Sequence, residues 1–298
     1  MAQETGAGGQ DVAAGTQDRG PGQGLPPVWE PVPIPAQAPV TDGLVDVPGA
    51  RIWYWDTGGS GHPVILLHAG TQSAMGWPYQ QPVLAQAGYR VIAYSRRGYY
   101  RSEGGDVADP GIGADDLHAL VEHLRLPKVD LVAAAQGGFF ALDYVLAWPE
   151  RVRGIAIISS LMGVTDADYV AVNQRLRPKF FADLPHDFQE LSPSYRAGNP
   201  EGLAAWHELD RQALNGPRIT PKVKQPLTWA RLESIRQPTL LMTGDSDLYT
   251  PPALLRMQAR HMPHAEVHVI AEAGHSPYWE QPVVFNRLLL DFLGRLAA

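Results

Sequence analysis

The chain contains no cysteine. Disulfides and thiolate metal sites are therefore excluded. The compartment stays open: cytoplasmic, or exported with a signal already removed. Basic tracts are missing too, and the formal net charge is −7. Nucleic acid and anionic membrane surfaces are poor partners for such a chain. No apolar run approaches the ~20 residues of a membrane span. Internal repeats are absent. His207-Glu208 has no second histidine four residues on, so the helical zinc motif is not formed. No metal and no cofactor are expected, and the oligomeric state is left open.

What is present divides into unequal parts. Gly, Pro, Ala and Gln dominate residues 1–40, without apolar periodicity. Residues 1–42 are read as a leader that lacks the basic and apolar regions of a signal peptide. Pro26, Pro27, Pro31, Pro33 and Pro35 favour an extended segment lying along the body. The whole chain has 298 residues, 45% of them hydrophobic. That suffices for one large α/β domain with an insertion, or two small domains.

From about residue 43, strand-like and helix-like segments alternate. Residues 44–47 and 51–56 read as strands joined by Pro48-Gly49, a hairpin signal. Apolar runs at 64–68, 90–94, 129–133 and 153–158 read as buried strands. Helices are expected over 77–87, 113–124 and 139–148. The rhythm breaks over 161–236, which is rich in Pro, Arg and aromatics, and resumes with strands at 239–243 and 266–270 and helices at 252–261 and 282–296. Such alternation implies a mostly parallel sheet covered on both faces, with the hairpin at one edge. The division expected is a core of 43–160 and 237–298 with an insertion, 161–236, above the sheet.

Four segments carry the chemistry. Leu131-Val132-Ala133-Ala134-Ala135-Gln136-Gly137-Gly138 turns an apolar run sharply into a helix. Ala133, Ala135 and Gly137 stand at the spacing of G-x-S-x-G, with alanine in the serine position. Val64-Ile65-Leu66-Leu67-His68-Ala69-Gly70 is a strand running into a His-containing loop. Leu240-Leu241-Met242-Thr243-Gly244-Asp245-Ser246-Asp247 is a strand ending in acids. Ala273-Gly274-His275-Ser276-Pro277 follows the last strand. A further loop, Tyr94-Ser95-Arg96-Arg97-Gly98, is given no chemistry.

In this order and spacing the segments resemble the α/β-hydrolase fold family, in its branch with a helical cap. The resemblance runs from about residue 43 to the C-terminus. It implies an α/β fold, a mostly parallel sheet flanked by helices, with 161–236 as the cap. It implies a nucleophile at 135, an acid at Asp247 with Asp245 as rival, and a base at His275. Backbone N–H groups of Gly70 and Gln136 are the implied oxyanion donors, and His68 is structural. Ala69 and Ser95 depart from the family's usual Gly and Asp.

Ala135 has no attacking atom. The chain is therefore either a serine hydrolase inactivated by a Ser→Ala change or a natural ligand-binding relative. Retention of Asp247 and His275 favours the first, because binding alone needs no acid–base pair. An original aspartate, as in epoxide hydrolases and haloalkane dehalogenases, fits Gln136 and the loop 71–75 less well than serine. The partner implied is a small ester or lactone, with a β-diketone cleaved at carbon as the alternative. Trp77, Tyr249, Tyr278 and Trp206 are the expected pocket residues, and no cluster of Arg or Lys points to an anionic substrate.

Overall fold

The computed structural model describes residues 31–296. Pro26, Pro27 and the rest of residues 1–30 lie outside the described residues. The strands are β1 (Thr41–Val47), β2 (Ala50–Asp56), β3 (Pro63–Leu67), β4 (Arg90–Tyr94), β5 (Val129–Ala134), β6 (Val152–Ile158), β7 (Thr239–Gly244) and β8 (Ala265–Ile270). They form one sheet in the order β1-β2-β4-β3-β5-β6-β7-β8. β1 pairs antiparallel with β2, and β2 with β4; all other pairs are parallel. The Pro48-Gly49 hairpin thus forms one edge, with Gly49 at φ 77°.

The core sits on both faces of this sheet. Side chains alternate along a strand, so a strand covered on both sides reads as continuously apolar. β5 does this: Leu131 and Ala133 pack into one buried cluster, Val132 and Ala134 into the other. The first cluster is closed by α2 (Gly113–His123), α3 (Gly137–Ala147) and α9 (Pro252–Arg260). The second is closed by α1 (Gln81–Gln86), α10 (Pro277–Glu280) and α11 (Pro282–Leu296). None of the described helices is long and apolar enough to cross a membrane.

Between β6 and β7 the chain forms α4 (Ala167–Leu176), α5 (His186–Glu190), α6 (Pro193–Gly198), α7 (Pro200–Ala213) and α8 (Trp229–Leu232). No named strand occurs in this stretch. The helix expected over 77–87 is shorter, starting at Gln81. Pro78 disfavours helical backbone at the residue before it, and Trp77 sits at φ −116°, ψ 35°. Its carbonyl instead accepts the N–H groups of Gln80 and Gln81 in a turn, and Pro82 opens the helix.

Residues Val32 and Ala38 are bonded to the body of the fold. Tyr79 donates its hydroxyl to the Val32 carbonyl at 2.8 Å. The Gln81 amide exchanges two hydrogen bonds with the Ala38 backbone, at 2.9 and 2.8 Å.

Candidate active site

The turn between β5 and α3 is sterically determined. A Cβ on Gly137 would stand 2.4 Å from the Leu67 carbonyl oxygen, and one on Gly138 would stand 2.5 Å from Ser160 Oγ. Only glycine lets α3 start this close to β3. The turn residue itself, Ala135, is forced to φ 48°. That left-handed conformation costs an L-residue about 1–2 kcal/mol. Hydrogen bonds hold it there: the Ala135 N–H donates to Ile158 O at 2.8 Å, and its carbonyl accepts from Ser160 Oγ at 2.6 Å. The methyl is left at the wall of a cavity of about 540 Å³.

His275 reaches the same cavity from the loop after β8. Its backbone N–H is fixed by Glu190 O at 2.6 Å. Its Nδ1 lies 3.0 Å from each carboxylate oxygen of Asp247. Asp247 also accepts from the Thr243 hydroxyl at 2.8 Å and from the N–H groups of Tyr249 and Thr250 at 2.7 and 2.9 Å. Asp245, by contrast, is exposed, so the local acid beside His275 is Asp247. Burial pushes the His275 imidazolium toward deprotonation, but the Asp247 charge and hydrogen bond more than offset this, and its pKa is raised. Burial likewise pushes the Asp247 carboxyl up, but His275 and the donated hydrogen bonds prevail and its pKa is lowered.

Gly70 and Gln136 line the same cavity. Neither donates its backbone N–H to a protein acceptor among the described residues. The loop carrying Gly70 is held from below by buried Arg96. Its guanidinium donates to the carbonyls of His68 and Ala69 and, at 3.1 Å, to Gln136 Oε1. Tyr99 adds a hydroxyl to Gly70 O at 3.0 Å. His68 is buried, with Nδ1 2.7 Å from Ala69 O and Nε2 accepting the Arg96 N–H at 3.0 Å. Burial lowers its pKa well below the ordinary value, with Arg96 adding to the effect. A neutral ring locked at both nitrogens is a brace, not a proton carrier.

Three of the four expected pocket aromatics lie elsewhere. Trp77, Tyr278 and Trp206 are buried in the second core cluster and do not line the cavity. Trp77 packs on Tyr278 with ring centroids 4.8 Å apart, so these rings fill the core. Tyr249 does line the cavity, 4.4 Å from the His275 ring.

Residues 161–236 contribute what the sequence did not single out. Arg177, Phe181, His186, Gln189, Glu190 and Arg218 all line the cavity. The expectation of no basic cluster is corrected here. Arg177 and Arg218 share this cavity only through the fold, and neither forms an ion pair among the described residues. Arg177 stacks over Phe181 and Tyr249, 4.6 and 4.8 Å from their ring centres. Arg218 reaches over Gly70, where an added Cβ would meet its Nη1 at 3.2 Å. Glu190 is buried and forms no ion pair with Lys or Arg among the described residues; it accepts from Thr71 Oγ1 at 3.0 Å and Ser276 Oγ at 3.3 Å. Burial raises its pKa. The only sequence signal for these residues was the Arg-rich composition of the insertion.

No three His, Asp or Glu side chains among the described residues are grouped as a metal site.

Comparison with known proteins places this geometry among relatives. A sequence profile of the alpha/beta hydrolase fold matches residues 62–282. A 2-hydroxy-6-oxononadienedioate/2-hydroxy-6-oxononatrienedioate hydrolase of Paraburkholderia phymatum is 28% identical over 278 residues, covering 82% of this chain and 91% of that protein. The solved structure of an N-acyl homoserine lactone degrading enzyme superposes with TM-score 0.69 at 27% identity, covering 84% of this chain and all of that one (100%). A thermophilic esterase from Thermogutta terrifontis superposes with TM-score 0.71 at 22% identity, covering 87% and 100%.

Proposed function

This chain belongs to the α/β-hydrolase family, and from that premise we propose that its cavity is a site for cleaving a carboxylic ester or lactone through residue 135, His275 and Asp247. One observation carries the reading. Ala135, strained at φ 48° at the end of β5, lines the same cavity as an imidazole backed by a buried carboxylate. A turn of that kind exposes a side chain at the top of the sheet. Residues 161–236 act as the cap, supplying one wall of the cavity.

With a serine at 135, His275 takes the hydroxyl proton while Asp247 orients the ring and stabilises the imidazolium. The oxygen attacks the acyl carbon. The N–H groups of Gly70 and Gln136 receive the negative charge on the carbonyl oxygen, a contribution of about 3–4 kcal/mol per donor in such sites. His275 then protonates the leaving group, and water releases the acid by the reverse route. With alanine the first bond cannot form, and turnover by this route falls on the order of a million-fold. The chain as it stands holds an acyl substrate without becoming acylated.

A second reading has its own support. Arg177 and Arg218 in the cavity suit a carboxylate, and the Paraburkholderia phymatum relative is named for a dienedioate. The same residues then act on a carbon–carbon bond next to a carbonyl. The test is the Ala135→Ser variant, assayed on p-nitrophenyl butyrate, a γ-lactone and a 2-hydroxy-6-oxodienoate. Ester or lactone turnover that disappears with His275→Ala supports the first reading; turnover of the dienoate alone supports the second. A folded variant inactive on all three overturns both.

A further inference from the structure

The cavity lacks a nucleophile but keeps a base. Nδ1 of His275 is committed to Asp247, which leaves Nε2 without a protein partner among the described residues. In a serine site that nitrogen serves the hydroxyl. Here every hydroxyl lining the cavity is engaged elsewhere. Thr71 donates to Glu190 at 3.0 Å, Tyr249 donates to Gln189, and Ser159 lies 3.5 Å from Thr243 Oγ1. None takes the place of a serine at 135.

The donors for a developing oxyanion are nonetheless in place. Gly70 and Gln136 line the same cavity with N–H groups that find no protein acceptor among the described residues, in a loop braced by Arg96 and Tyr99. A carboxylate-backed imidazole, two oxyanion donors and no nucleophile suit one reaction: removal of a proton from carbon next to a carbonyl. We propose that the chain, with alanine at 135, is a proton-transfer catalyst acting on a carboxylate-bearing ketone. This rests on the reading of Ala135 and His275 as one site.

The step is balanced without any co-reactant. The α C–H bond breaks and its proton goes to His275 Nε2. The electron pair forms the enolate C=C bond, and the charge settles on the carbonyl oxygen between Gly70 and Gln136. Arg177 and Arg218 hold the carboxylate of the same molecule. Return of a proton from His275 to carbon completes an exchange, or a tautomerisation if it returns to a different atom.

The experiment uses the full chain in D2O with 2-oxobutanoate and 4-oxopentanoate as probes, followed by proton NMR. The expected result is loss of the α-proton signal at about a hundredfold the buffer rate. His275→Gln returns the rate to buffer. Ala135→Ser lowers it, because the new hydroxyl occupies Nε2, while making the chain reactive to a fluorophosphonate. Exchange at the buffer rate for both probes, with Ala135→Ser still labelled, overturns this proposal and leaves the hydrolase reading intact. Exchange that survives His275→Gln also overturns it. If the chain shows no exchange and Ala135→Ser is not labelled, the shared premise that Ala135 and His275 form one site falls.

Discussion

One ring nitrogen of His275, Nδ1, lies 3.0 Å from both carboxylate oxygens of Asp247. This fixes the proton on Nδ1 in the neutral ring and turns Nε2 to the cavity. Replacing the acid by an amide should reverse the tautomer. In an Ala135→Ser background, Asp247→Asn is expected to lower kcat on the order of 10⁴-fold with little change in KM. Steady-state kinetics on a p-nitrophenyl ester check this.

The same pair sets a pH dependence. The neutral imidazole is the active base, and its pKa is raised above the ordinary 6.5. Activity of the Ala135→Ser variant should therefore fall on the acid side at a pH above 6.5. The stability signs run oppositely for the partners. The His275 contribution is complete below its unfolded pKa and is lost as pH rises through the higher folded value. The Asp247 contribution is complete above its unfolded value of 3.8 and is lost as pH falls through the lower folded one. Thermal melts of the chain and of His275→Gln should differ most between those limits and converge in alkali.

Strain at the elbow predicts opposite effects at two positions on either side of Gln136. Gly137→Ala places a methyl 2.4 Å from a backbone oxygen that is fixed in β3, and should cost about 1–3 kcal/mol or more. Ala135→Gly relieves the φ of 48° and should stabilise by about 1 kcal/mol. Urea midpoints of the two variants should move in opposite directions.

The core fold and the dyad were legible because short segments encode them. Gly137 and Gly138 mark the elbow by steric necessity, and Asp247 and His275 each sit on a strand's exit loop. The cavity walls were not legible. Trp77, Tyr278 and Trp206 are indistinguishable in sequence from pocket aromatics, and only packing buries them. Arg177 and Arg218 lie in a stretch without periodicity, so nothing local shows that they line one cavity. Glu190 ends a five-residue helix, too short to carry a pattern.

Ser95 stands where the family's loop usually has Asp, yet that loop keeps a demanding feature. Arg97 and Asp116 form a two-pronged ion pair, at 2.7 Å for each bond, with side chains 1% and 4% exposed. Breaking one half leaves a buried charge unpaired. Asp116→Asn should cost about 3–5 kcal/mol, read from chemical denaturation.

The most direct test of the account is intact-mass analysis of Ala135→Ser after treatment with a fluorophosphonate. The account predicts one adduct, mapped to position 135, forming quickly and abolished when His275 is also changed to Ala. A folded variant that stays unlabelled, or is labelled equally well without the imidazole, would contradict it.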